Sequence, residues 1–365
     1  MTNKSGVILM LNPMDTTYGS THRIRQIYYG LISLGWKVNY IESNYSGKEN
    51  ITSITQKNNI FGFLGASLKR IYYALFCNYD IFFTQTFTPL TVPAMIAAKL
   101  RKKTIAVDWD DLSCILQKNC LRYFLVWLCE HFFIRLADYV FVPNDYLLNY
   151  GRKLGVKNIF FASHGVNFGL FDPERFNAEL IKKQLGFKGN ILLGFLASFT
   201  TGGVGDFDIV LQAVNEIIRQ REDMSFLIIG GGPLFSTYKK KAEAIGLKNI
   251  YFTGLIKQEE VPGYLSCVDI ALIFMRDNLK NKMKTSLKVG EYLAMNKVVV
   301  GHLAGQTKDM FSQYCINCSP TVNSFVEAIN SALNNPSKVS HREELIEKYT
   351  WKKSVEVIDQ ILSQL

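Results

Sequence analysis

Disulfide frameworks and metal-finger spacings are missing from this chain. Its seven cysteines are scattered through 365 residues. Cys315-x-x-Cys318 is the one close pair, and no second pair completes a metal site, so the expectation is reduced thiols in a reducing compartment. Long apolar runs are missing too. The first, residues 7–11, has the length of a strand and is too short for a signal peptide. The most apolar helical stretch, residues 123–134, is broken by Glu130 and His131 and falls short of the ~20 residues a spanning helix needs. A cytoplasmic protein without a transmembrane segment is therefore expected. There is no low-complexity tail, no short repeat and no nucleic-acid-binding module. Gly230-Gly-Gly-Pro233 lacks the Gly-x-Gly-x-x-Gly spacing of a dinucleotide loop, and a turn with close backbone packing is expected there instead. Acidic side chains are in deficit, with 31 against 41 basic ones. The imbalance sits early: residues 1–172 hold 18 basic and 11 acidic side chains. That points to an anionic partner, either phosphates or a membrane surface, with plain solubility charge as the alternative.

What is present is globular. Hydrophobic residues make up 48% and charged residues 20%, enough for a sizeable core, and the length suggests two domains. Strand and helix patterns alternate throughout. Strands are expected at 7–12, 37–42, 80–84, 104–107 and 139–142, with helices at 21–34, 92–100 and 121–137. After Phe171-Asp-Pro173 the pattern restarts, with strands at 191–196, 225–229, 250–253, 270–274 and 298–300, a helix at 207–219 and a last amphipathic helix at 351–365. The fold class is α/β: two Rossmann-like, doubly wound domains.

The stretch Lys284-Thr-Ser-Leu-Lys-Val-Gly-Glu-Tyr-Leu-Ala-Met-Asn-Lys-Val-Val-Val300 reads as a helix running into a buried strand. Ser286 is placed to cap it, Leu287, Glu291 and Met295 share a face, and Asn296 suits the left-handed turn that ends it. Lys284 and Lys288 bracket the helix start. Free N–H groups and the helix dipole favour phosphates there, and a carboxylate one turn further in can accept hydrogen bonds from sugar hydroxyls. The pairing suits the ribose diphosphate of a nucleotide-sugar. A capped helix with solvated Lys and Glu is the plain alternative.

Taken in order, several landmarks resemble the GT-B glycosyltransferases, and within them the retaining family 4. His164-Gly-Val-Asn-Phe-Gly-Leu-Phe-Asp-Pro173 resembles that family's interdomain Asn-Gly-Val-Asp…Phe-x-Pro segment. Phe226-Leu-Ile-Ile-Gly-Gly-Gly-Pro233 resembles its strand ending in Gly-Asp-Gly-Pro. Phe252-Thr-Gly-Leu-Ile256 resembles the loop facing the donor base, which brings in Leu255 and Ile256, and Glu291 matches the carboxylate that holds the ribose. The resemblance implies an acceptor-side domain (1–168), a donor-binding domain (169–348) and a C-terminal helix (349–365) that can pack back on the first domain. It implies a UDP- or GDP-linked sugar as donor, a glycan or lipid-linked acceptor, and no metal or other cofactor. A non-catalytic partner subunit and a nucleotide-sugar epimerase are the other functions such a fold could serve.

Two departures stand out. Met283 falls where many members carry a first glutamate, so Lys284, Ser286, Leu287, Lys288 and Glu291 have more of the donor to hold. Residues 196–206 contain neither Arg nor Lys where members place diphosphate-gripping basic residues. Ser198, Thr200 and Thr201 offer hydroxyls instead. On the acceptor side the resemblance points to Gly19 and Ser20 in a glycine-rich loop, with His22, and with Arg23 or Arg25 as possible contacts to an anionic acceptor. Each of these alone reads as a solvated helix residue. Asp108 and Asp110 resemble a family Asp-x-His-Asp loop, with Asp110 where the His would line the sugar pocket. The catalytic candidates are then Asp110, Lys288 and Glu291. Asp108-x-Asp110 also resembles the metal-binding pair of the other large glycosyltransferase fold, in which the second Rossmann-like half has no place. His164 is expected to orient its loop. Finally, aromatic and basic residues crowd 61–76 and 121–135, which suits a peripheral site on an anionic membrane. Ordinary core packing is the alternative.

Overall fold

The computed structural model describes residues 4, 6–14, 19–47, 49–57, 59–187, 191–200, 204, 206–221, 223–334 and 340–365. Of the residues singled out above, Thr201 lies outside the described residues. The chain divides into two compact units, Met1–His164 with Trp351–Leu365, and Gly165–Thr350.

The first unit is built on seven parallel strands: β1 (Val7–Asn12), β2 (Lys37–Ser43), β3 (Thr52–Ile54), β4 (Ile81–Gln85), β5 (Thr104–Asp108), β6 (Tyr139–Val142) and β7 (Ile159–Phe161). Their order is β3-β2-β1-β4-β5-β6-β7. Residues 8–11 of β1 are wholly buried, as befits a strand covered on both faces. The helices are α1 (Gly19–Ser33), α2 (Ile60–Phe76), α3 (Val92–Leu100), α4 (Cys120–His131) and α5 (Asp145–Lys153). Right-handed crossovers put α1 on one face of the sheet and α2 to α5 on the other. The C-terminal helix, Trp351–Leu362, packs along α1 and contributes Val355, Ile358 and Leu362 to a core shared with Ile24, Ile27 and Leu31. A Cβ at Gly30 would stand 2.6 Å from Val355 Cγ2, so the two helices touch backbone to side chain. Trp36 Nε1 donates to Asp359 (2.7 Å) and fastens the far end.

The second unit has six parallel strands: β8 (Ile191–Leu196), β9 (Met224–Ile229), β10 (Ile250–Phe252), β11 (Ile270–Phe274), β12 (Val298–His302) and β13 (Ile316–Asn317), in the order β10-β9-β8-β11-β12-β13. Its helices are α6 (Ala178–Leu185), α7 (Phe207–Gln220), α8 (Phe235–Ala244), α9 (Val261–Ser266), α10 (Leu279–Lys282), α11 (Leu287–Ala294), α12 (Gly305–Phe311), α13 (Val322–Asn334) and α14 (Arg342–Lys348). Apolar clusters fill both faces of the sheet. The fold class is the expected one. Each sheet reverses its winding once, between β1 and β4 and between β8 and β11, and in such sheets ligands bind outside the carboxyl ends of the strands at the reversal.

One expected helix is corrected. Residues 121–137 do not form a single helix. The chain leaves α4 at His131 and tightens into a 3-10 turn, Phe133–Leu136, and Arg135 donates to the freed His131 carbonyl (3.1 Å). The physical reason lies in Glu130. It faces inward, not to water, and accepts from the backbone N–H groups of Ser113 (2.6 Å) and Cys114 (2.9 Å) and from Trp109 Nε1 (3.2 Å).

Candidate functional site

In the second unit, the loops after β8, β9 and β10 are laced together by backbone. Phe199 N–H donates to Gly231 O (2.9 Å) and Leu234 N–H to Phe199 O (2.8 Å). Thr253 Oγ1 accepts from Gly230 N–H and donates to Gly254 O, both at 2.9 Å. Glycine is required here. Gly230 has φ 119°, and a Cβ on it would sit 2.1 Å from Ala197 O. The expected tight turn is thus present, and its purpose is to let three loops close ranks. Ser198 and Thr200 are half-buried on the first of them, and Leu255, 79% exposed, stands on the third beside Ile256.

Helix α11 begins beside these loops. Tyr292, on its buried face, accepts from Leu196 N–H (2.7 Å) at the carboxyl end of β8, which ties the helix to the reversal point. Asn296 ends the helix region with φ 54°, as expected. Ser286 occupies the N-cap position, but its side chain makes no capping hydrogen bond, which corrects the expectation. Its backbone N–H donates to Thr307 Oγ1 (2.8 Å), so α12 supplies the hydroxyl. The buried Thr285 hydroxyl has no hydrogen-bond partner among the described residues. Glu291 is 8% exposed and accepts from Gln258 Nε2 (3.3 Å). Burial pushes its carboxyl up to about 7, against the pull of Gln258 and Lys288. Lys288 is pushed down to about 7 by burial and by the Lys284 charge, and its ammonium lies 5.4 Å over the Phe195 ring. An ammonium and a carboxyl poised near neutrality, with a free hydroxyl and helix N–H groups beside them, make a site for an anion bearing hydroxyls.

Arg276 and Gln258 were not legible as site residues. Arg276 lies two residues beyond the end of β11. Its N–H donates to Asp206 Oδ2 (2.7 Å), and its guanidinium Nε lies 3.6 Å from Asp206 Oδ1. It therefore stands next to the loop that lacks Arg and Lys, with a side chain 57% exposed. Its position just after a buried strand at the winding reversal was the available signal. Gln258 carried none, because only the fold brings it to Glu291.

The polar centre of the first unit lies at the carboxyl ends of β4 and β5. Arg23, wholly buried, donates from Nη2 to Asp108 Oδ1 (2.8 Å) and from Nε to both Asp108 oxygens (3.0 Å), and it also reaches Ala162 O (2.8 Å) and Ser163 O (3.2 Å). The reading of Arg23 as a solvated helix residue is thus corrected: Asp108 needed a buried cation, and α1 turns Arg23 inward to supply it. Arg25 pairs with the buried Glu42 (Nε to Oε2, 2.9 Å). Asp110 Oδ1 lies 3.7 Å from Arg23 Nε and 3.1 Å from His164 Nε2, without hydrogen-bond alignment. Burial raises both aspartates and, with the Arg23 charge, lowers His164 to about 3, so His164 is neutral. His22 is held at about 4, by burial first and then by His164 and Arg25, and stacks edge-on to Trp351 at 5.8 Å. Gln85 Nε2 donates to Ser20 O (2.7 Å) at the first turn of α1, which begins at Gly19.

Around this centre, four buried polar atoms have no hydrogen-bond partner among the described residues: Gln85 Oε1, Thr86 Oγ1, Asp110 Oδ1 and His164 Nδ1. Thr86 is also held at φ 59°, a strained conformation for a β-branched residue. Buried polar atoms left open in a cluster fit a polyhydroxyl ligand better than a packing role. Asp108 is fully occupied by Arg23, which leaves Asp110 as the carboxylate with an oxygen to offer.

Residues 190–335 match the family model for glycosyl transferases group 1. A Bacillus subtilis (strain 168) protein assigned to teichuronic acid biosynthesis as the glycosyltransferase TuaH is 27% identical over 184 residues, a stretch covering 50% of this chain and 44% of that one. The chain thus spans less than half of that relative's length. Sucrose-phosphate synthase from Thermosynechococcus elongatus superposes with a TM-score of 0.77 at 15% identity, over 98% of each chain. Anabaena Alr3699/HepE in complex with UDP-glucose superposes with a TM-score of 0.76 at 13% identity, over 99% of this chain and 100% of that one. At such identities the likeness establishes the fold, which is GT-B.

Proposed function

We propose that this GT-B chain, with group 1 glycosyltransferase sequence across residues 190–335, moves a sugar from a UDP- or GDP-linked donor to a glycan or lipid-linked acceptor. We further propose retention at the anomeric carbon and a place in the assembly of surface polysaccharide or glycolipid. The observation that carries the reading is α11, where Glu291 and Lys288 sit one turn apart at the winding reversal, each shifted to about 7. The leaving group is a nucleoside diphosphate whose charge grows in the transition state, so preorganised positive charge serves the reaction better than a base. Lys284, Lys288 and the α11 N–H groups carry that role, and the hydroxyls of Ser198 and Thr200 add donors. Glu291, steadied by Gln258, accepts from the ribose. Leu255 and Ile256 flank the base. Asp110 offers its open oxygen to a sugar hydroxyl, on the acceptor-side unit with Gly19, Ser20 and His22. The bound UDP-glucose of HepE and the teichuronic acid assignment of TuaH support this substrate class.

A thermal-shift panel of nucleoside diphosphate sugars tests the reading. One donor is expected to raise the melting temperature, and slow release of its free diphosphate without acceptor identifies an active enzyme. If no donor shifts the melt, the donor-site assignment fails. Binding without release would instead favour a non-catalytic GT-B partner, a reading to which the lack of Arg and Lys in residues 196–206 lends weight. Conversion of the free sugar donor would point to an epimerase.

A further inference from the structure

Two helices of the N-terminal unit begin in apolar surface that the sheet does not cover. The first turn of α2 exposes Ile60 (70%), Phe61 (80%) and Leu64 (56%), and that of α4 exposes Leu121 (67%) and Phe124 (53%). Neither turn is a frayed end, since Asn59 accepts from Gly62 N–H (2.7 Å) and Asn119 from Arg122 N–H (3.0 Å), so both are capped. In α4, residues 120–125 are all exposed. At about 100° per residue, six residues cover the whole circumference, so this turn projects beyond its neighbours. Of these six residues Arg122 alone is charged, and so apolar a turn belongs against protein or lipid.

The exposed charge of α2, α3 and α4 has one sign. Helices α2 and α3 contain no acidic residue, and the single one in α4, Glu130, is wholly buried. Lys69 and Arg122 stand exposed among the apolar side chains. A second copy of this chain, docked by a two-fold axis, would bring these cations against a helical face without carboxylates to receive them. An anionic bilayer interface offers both what the apolar turns and what the cations need.

The position of these turns matters. In a parallel sheet, a helix that follows a strand begins at the strand's carboxyl end, so α2 and α4 both start on the edge of the sheet that carries Asp108 and Asp110. Residues 111–119 lead directly from Asp110 into the first turn of α4. We propose that the N-terminal turns of α2 and α4 dock this unit on an anionic lipid bilayer, and that the acceptor presented to Asp110 is anchored in that bilayer. The docking stands by itself, while the acceptor clause rests on the transferase reading above.

The test is co-sedimentation of the full chain with phosphatidylcholine vesicles, with and without about 30% phosphatidylglycerol, the charged membranes to which basic segments are drawn. Binding is expected only with the anionic lipid. The pairs Phe61→Glu with Leu64→Glu, and Leu121→Glu with Phe124→Glu, are each expected to cut the bound fraction at least tenfold. Lys69→Gln or Arg122→Gln should weaken binding about fivefold, from roughly 1 kcal/mol per cation at the surface. Unchanged circular-dichroism melts will show that these exposed positions leave the fold intact. The proposal is overturned by equal binding to neutral vesicles, by binding that the glutamate pairs do not reduce, or by no binding at all. A dimer in sedimentation velocity that the same pairs dissociate would overturn it in favour of a second copy. Loss of donor binding with vesicle binding retained would sink the transferase reading alone.

Discussion

At the winding reversal of the N-terminal sheet, the Arg23–Asp108 pair is wholly out of water. At the reversal of the C-terminal sheet, the comparable pair, Arg276–Asp206, has a guanidinium 57% exposed, and the loops beside it are held by backbone hydrogen bonds between glycine-rich turns. The same topology is therefore prepared in two ways. In the first unit, the Arg23 charge is satisfied internally and, among the described residues, single oxygens and nitrogens are left open, which suits neutral hydroxyls. In the second, the Lys284 and Lys288 charges lie close together at the start of α11, a positive site that suits a diphosphate. A doubly wound sheet fixes where a ligand goes, and the charge and polarity of the groups gathered there select its chemistry.

The sharpest way to break this contrast is Arg23→Met. It strands Asp108 and two backbone carbonyls in a dry interior, and removing one partner of a buried pair costs about 3–5 kcal/mol. Urea unfolding should show that loss in the N-terminal unit, and a loss below about 1 kcal/mol would demote the pair to an ornament of the fold. Glu130→Leu comes next. It leaves the N–H groups of Ser113, Cys114 and Trp109 without an acceptor, at about 1–3 kcal/mol for each that stays unsatisfied, and the Trp109 fluorescence environment should change with it. In the other unit, Glu291→Ala is expected to weaken donor binding by roughly 10- to 150-fold, the range for a hydrogen bond to a charged group, with little change in melting temperature. Unchanged affinity by calorimetry would remove Glu291 from the donor site.

The fourth expectation concerns pH. Lys288 at about 7 loses its charge as pH rises, so donor affinity should fall by up to about tenfold per unit above neutrality, and Lys288→Met should abolish that slope. The stability effects run in opposite directions. Glu291 is raised from 4.5 to about 7 on folding, so the folded state holds the extra proton and stability falls with pH in that window. Lys288 is lowered from 10.5 to about 7, so the unfolded state holds the extra proton and stability rises with pH above neutrality. A minimum near pH 7 is expected from these two groups, and pH-dependent thermal melts of Glu291→Gln and Lys288→Met should each flatten one limb. The smallest effect is expected for Ser286→Ala, within about 0.5 kcal/mol, because its hydroxyl caps nothing. A loss near 1 kcal/mol in thermal melts would mean that the cap forms in solution after all.

Much of the fold was legible because buried parallel strands are short apolar runs with few alternatives. Residues 7–12, 139–142, 191–196 and 270–274 were read at their observed bounds. The edge strands β3 and β7 were not, since three residues of a strand carry no period to detect. Helix α4 was read too long because apolar residues continue past His131 to Leu136, while the inward anchoring of Glu130 leaves no mark in the pattern. Side-chain direction of that kind depends on which backbone N–H groups arrive from elsewhere in the chain.

The sequence by itself determined two restarting αβ patterns, a basic first half, and a lysine-flanked helix start with a glutamate one turn in. These are properties of spacing and composition, which local physics reads without a partner. Tertiary structure alone decided that Arg23 would face Asp108 and not water, that Thr307 and not Ser286 would serve the start of α11, and that Gln258 would meet Glu291. It also decided that the apolar first turns of α2 and α4 would remain outside. Each of these depends on groups distant in sequence meeting in a low-dielectric interior, or failing to meet, and no local pattern encodes that.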